Sequence, residues 1–125
     1  MLLDRLKMEF VGCFFVTYIF AMTASNYETG AITFTSLGIG QFFVIAVFTW
    51  ISKPISGAQF NPIVTSSLAL TGHIDFDELF YILFVQMMGT AFGASLAEMS
   101  LPNEVIVKIS NEDTSLGMKF EVSLL

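Results

Sequence analysis

The sequence predicts an all-α membrane protein with three transmembrane helices, one re-entrant half-helix and the stub of a fourth span. Three observations carry this. Hydrophobic residues make up 54% of the 125-residue chain, mean hydropathy is +0.74 and charged residues reach only 13%, a balance outside the usual range for a water-soluble domain. The charges are segregated, leaving uncharged runs over residues 10–27, 29–52, 54–72 and 79–97, each near or above the ~20 residues that cross a hydrocarbon core. The third run is interrupted by Ser56-Gly57-Ala58-Gln59-Phe60-Asn61-Pro62-Ile63-Val64, which reads as a chain break followed at once by a helix start.

Taken in order, the spans are expected over about 8–26, 31–52 and 78–98, with a re-entrant loop and half-helix over about 54–71. The first has a rival reading as a cleaved signal peptide, with Arg5 and Lys7 ahead of an apolar core and small Ala24 near a cut site. Asp4 and Glu9 in a region that should be basic, and Thr17 and Tyr18 within the core, favour a retained span. In the broken segment Gly57 and Ala58 let the backbone run unwound, Asn61 suits an N-cap, and Pro62 falls on the first helical position, where its missing N–H costs nothing. A helix ending at Thr71-Gly72 is then roughly 10 residues long, half of what a crossing needs, so the segment enters the membrane and returns. Irregular backbone at that depth survives only when buried in protein or lining a wet cavity.

Asp75 and Glu78 have capping-box spacing ahead of the last span, and Asp77 and Glu78 add favourable charge at its N-terminus. Residues 99–118 read as an extramembrane connection, with a short extended piece over 105–109, and residues 119–125 as the start of a fourth span.

The decapeptide from Ser56 to Thr65 resembles the first signature loop of the aquaporin, or major intrinsic protein, family, usually written SGAHxNPAVT; here the tripeptide reads Asn61-Pro62-Ile63. Glu9-Phe10-Val11-Gly12 is similar to the family's first-helix start, and Tyr81, Gln86, Gly89, Gly93 and Ala94 to its third-helix pattern. The resemblance implies one of two inverted repeats, each of three spans and a half-helix, so that residues 1–125 form a single aquaporin-like half. Lys119-Phe120-Glu121-Val122-Ser123 echoes Lys7-Met8-Glu9-Phe10-Val11, as the opening of a second repeat would. No second Asn-Pro loop and no filter arginine are found in these residues. A pore is therefore expected to need a second aquaporin-like half or an oppositely inserted copy.

Within that expectation Asn61 is the principal pore residue, because its amide NH2 can donate to a passing oxygen where the helix N-terminus supplies roughly half a positive charge. Carbonyls of Gly57, Ala58 and Gln59 can accept from a neutral permeant, and Pro62 and Ile63 complete the lining. Ile63 replaces the family's usual Ala and Gln59 its common His, which weighs against plain water selectivity. Gln41, or Phe42 if the register slips by one, aligns with the second-helix position of the narrow filter. Gln41 reads equally as an interhelical hydrogen-bonding residue. Glu9 should face the bundle interior, and in the family the matching Glu braces the loop. Gly89 and Gly93 form a small-xxx-small face for close helix approach, within one repeat or between copies.

Catalysis has little to work with. Cys13 lies in a span, His73 beside the half-helix end, and neither has a metal-ligand partner at useful spacing, so no enzyme, cofactor or metal site is expected. The net charge of -6 offers no basic surface for nucleic acid. Partners reduce to the lipid bilayer, a second half, and possible membership of a larger membrane assembly, in which the chain would be a non-conducting structural subunit. Arg5, Lys7 and Lys53 against Lys108 and Lys119 place the N-terminus on the cytoplasmic side by a small bias.

Overall fold

The uncharged runs become helices because a backbone in lipid must satisfy its own N–H and C=O groups. The computed structural model describes residues 1–101, which form α1 (Leu2–Glu28), α2 (Phe34–Ser52), α3 (Pro62–Leu70) and α4 (Phe76–Ser100). The connection and the stub of a fourth span expected beyond Leu101 lie outside the described residues. Helices α1, α2 and α4 are each long and apolar enough to cross a membrane. Helix α3 has 9 residues and is about 14 Å long at ~1.5 Å per residue, roughly half of a ~30 Å hydrocarbon core.

Local chemistry sets the ends. After α1, Gly30 adopts φ +77°, its N–H donates to Tyr27 O, and Ala31 N–H donates to Asn26 O. After α3, Gly72 adopts φ +78°, its N–H donates to Ala69 O, and His73 N–H donates to Leu68 O. Both are Schellman turns, which need a left-handed residue that glycine supplies without a Cβ penalty. Thr33 caps α2, its hydroxyl accepting from Ser36 N–H at 3.2 Å, and Pro54 follows soon after the helix ends.

One expected cap is not formed. Asp75 makes no side-chain cap bond, and the Glu78 carboxylate accepts from Arg5 Nη1 at 2.6 Å instead of closing a capping box. The start of α1 brings a guanidinium to Glu78, and a charge-assisted bond outcompetes the reach back to a backbone N–H.

Contacts fix the helix directions. Arg5 meets Glu78, Phe10 packs its ring on Phe92, and Gly93 faces the Phe14 carbonyl, so α1 and α4 run parallel. Phe15 stacks on Phe48 and Tyr27 meets Phe34, so α2 returns antiparallel to α1. Thr65 bonds Gln86, while Ala69 clusters with Leu79 and Ile82, so α3 runs antiparallel to α4. The N-terminus of α3 thus lies deep in the bundle and its C-terminus beside the start of α4.

A Cβ on Gly89 would collide with the Phe10 carbonyl, and one on Gly93 with the Phe14 carbonyl. These glycines let the α1 and α4 backbones touch. Elsewhere apolar side chains face outward, among them Phe42, Trp50, Phe80, Phe84 and Met99. On a soluble protein such a surface would be an aggregation hazard; on a chain with three apolar spans it suits an apolar surrounding.

Candidate functional site

The loop between α2 and α3 is irregular because its residues demand it. Ser56 and Gly57 N–H groups still donate helically to Ser52 and Lys53 carbonyls, after which Gly57 (φ +91°), Ala58 (φ +53°) and Phe60 (φ +45°) turn left-handed. For a non-glycine residue that conformation costs about 1–2 kcal/mol, so something must hold Ala58 and Phe60 there.

Glu9 does so. It is fully buried and its carboxylate collects four donors: Ser56 Oγ at 2.6 Å, Gln59 N–H at 3.0 Å, Phe60 N–H at 2.8 Å and Gln86 Nε2 at 2.9 Å. Ser56 Oγ also accepts from Ala58 N–H at 3.1 Å. The second Gln86 bond runs to Thr65 Oγ1 at 2.9 Å, and Thr65 in turn donates to the Asn61 carbonyl at 3.1 Å. One carboxylate on α1 and one amide on α4 therefore tie down both the loop and the first turn of α3. Gln86 is about 15 Å along α4 from its start, so the network lies well inside the helix bundle and away from the chain ends.

Asn61 stands at the start of α3. Its Oδ1 accepts from Ile63 N–H at 2.9 Å, and because an N–H can bond only the oxygen end of the amide, the NH2 is the free end. The residue is exposed. Among the described residues, the carbonyls of Gly57, Ala58 and Gln59 accept no hydrogen bond. Pro62 occupies the first helical position, and Ile63 is 76% exposed beside Asn61. Gln59 is buried, with its Oε1 unpartnered among the described residues; Gln86 Oε1 and Ser52 Oγ share that condition. The loop carries polar atoms beyond those its own neighbours fill.

The other expected filter positions are not brought to this loop. Gln41 lies half-buried on the stripe of α2 that faces α1, its Nε2 without a hydrogen-bond partner among the described residues. Phe42 is 66% exposed and lines a shallow outward groove with Ile45, Ala46, Thr49, Trp50 and Lys53. Sequence reasoning singled out Glu9 but passed over Gln86, Ser56, Thr65 and Phe60 as site residues. A polar Gln within an uncharged span was the available signal for Gln86; nothing local marks which donors meet Glu9.

Three apolar helices long enough to cross a membrane and a 9-residue half-helix packed against α4 define an integral, multi-pass membrane protein of aquaporin-like half fold. The family model for major intrinsic proteins matches residues 2–124, and the chain belongs to that family. It is 30% identical over 92 residues to a probable NIP-type aquaporin of Nicotiana alata, covering 71% of this chain and 33% of the relative. To an aquaporin of Laccaria bicolor it is 31% identical over 94 residues, covering 74% and 36%. A Zea mays aquaporin is 28% identical over 94 residues, covering 74% and 33%. The chain thus spans about a third of the length of the curated relatives it matches. No solved structure gives a significant match.

Proposed function

We propose that residues 1–125 contribute half of an aquaporin-type pore for water or a small neutral solute and conduct once a second half supplies the opposing half-helix. The observation that carries this is Asn61. Its oxygen is committed to capping α3, so its NH2 is free to donate to a permeant at the start of α3, where the helix dipole disfavours cations. The unpaired carbonyls of Gly57, Ala58 and Gln59 supply acceptors along the approach. Pro62 and Ile63 line the junction, and Gln41 or Phe42 contributes to the filter on α2. Glu9, Gly89 and Gly93 support the loop rather than touch the permeant. The opposing half comes from outside these residues, as a second aquaporin-like half or an oppositely inserted copy. Arg5, Lys7 and Lys53 gather at one end of the bundle, which favours a cytoplasmic N-terminus.

A second reading, a non-conducting structural subunit of a membrane assembly, draws on Ile63. Its bulk is exposed beside Asn61 and would crowd an opposing half-helix. The test is osmotic water flux in vesicles holding the purified chain, alone and fused to the complementary half of the Nicotiana relative, each with an Asn61→Asp control. Fast flux lost in the control supports conduction. Folded protein that passes no water in either form supports the structural reading.

A further inference from the structure

We infer that Gly12 and Phe60 form a size-matched pair in which the backbone of α1 seats the Phe60 ring and thereby sets the pose of Asn61. This deepens the conducting reading above and rests on it. The three atoms nearest to where a Gly12 Cβ would sit all belong to the Phe60 ring, and they lie so close that a Cβ there would force the ring to move. Gly12 is buried and lies one helical turn beyond Glu9, on the same face of α1.

Residue 60 is thus held at two points by one helix face. Glu9 accepts its N–H at 2.8 Å, and the hollow at Gly12 receives its ring. The ring contact adds to the Glu9 bond in holding a phenylalanine at φ +45°, a conformation that persists only where its surroundings restrain it. Asn61 follows directly, so any displacement of residue 60 is transmitted to the amide that faces the permeant. Gly12 differs in this from Gly89 and Gly93, whose missing side chains make room for the backbone of another helix. Phe60 is a positioning residue that acts through Asn61, and Gly12 is its seat.

The experiment compares the full chain with Gly12→Ala, Phe60→Ala and the double variant in two readouts. Amide hydrogen exchange, resolved by residue, reports the loop whether or not anything conducts; the ratio of water to glycerol flux in the fused form reports the pore. In Gly12→Ala, protection is expected to be lost at the amides of residues 59, 60 and 63, with protection around Gly89 and Gly93 retained and the flux ratio shifted. In the double variant, protection and the ratio are expected to recover toward the parent. If Gly12→Ala does not fold, recovery of folded protein in the double variant is the same result. Unchanged loop protection in Gly12→Ala, uniform loss across all helices, or a double variant no better than the single overturns the pairing. Expected exchange with no flux from any form, parent included, leaves the pairing standing and removes the conducting reading instead.

Discussion

Helix α4 and helix α2 both pack on α1, but by different means. Between α1 and α4, glycines bring backbones into contact, a buried carboxylate and amide tie in the loop and α3, and an ion pair joins the two starting ends. Between α1 and α2 the contact is made by side chains, chiefly Phe15 stacked on Phe48 at 5.2 Å and Tyr27 against Phe34, and α2 fully buries Ser52 alone. Lipid is as apolar as phenylalanine, so burying rings brings no hydrophobic drive, whereas polar bonds and close backbone packing hold helices together. The half-fold is therefore a tight unit of α1, α3 and α4 that carries the loop, with α2 leaning on its side.

The sharpest way to break this contrast is Glu9→Ala. Four donors, three of them buried, lose their acceptor, and destabilisation of about 3–5 kcal/mol is expected, measured by denaturant unfolding in detergent micelles. A change below 1 kcal/mol on the order of surface substitutions would show that the loop does not depend on the network. Gly89→Leu should come next. It pushes α1 and α4 apart at the Phe10 carbonyl, for about 1–3 kcal/mol, and in the same assay should lower the midpoint of unfolding without altering helix content by circular dichroism.

Arg5→Ala removes a part-buried ion pair and should cost no more than about 1 kcal/mol. Its effect should shrink as salt is raised, because much of the pair is open to screening. Trp50→Ala, on the outward face of α2, should stay within about 0.5 kcal/mol. A larger loss there in detergent would mean that α2 is held more firmly than its contacts indicate.

Reading the sequence located what is governed locally. Helices α1 and α4 run past the uncharged windows at both ends, because charged residues are tolerated in a helix once it leaves the apolar layer. The half-helix was legible in Asn61, Pro62 and Gly72, since a cap, a first-turn proline and a left-handed glycine act within a few residues. The capping box at Asp75 and Glu78 failed for the opposite reason: its outcome depended on a guanidinium 73 positions away. Gln86 and Thr65 met Glu9 by the same kind of long-range encounter, which no spacing in the chain displays.

By itself, the sequence pointed to a multi-pass membrane protein with three long apolar helices, a short broken segment before the last of them, and Asn61 at the start of the half-helix. Each of these follows from hydropathy, charge placement and backbone preference, which short segments express alone. Tertiary structure decided which donors Glu9 gathers, that Phe60 rests against Gly12, that the glycines of α4 serve the contact with α1, and that Phe42 faces away from the loop while Gln41 turns toward α1. Those outcomes depend on which helix faces meet, and that is settled only when backbones approach closely enough for buried polar groups to find partners.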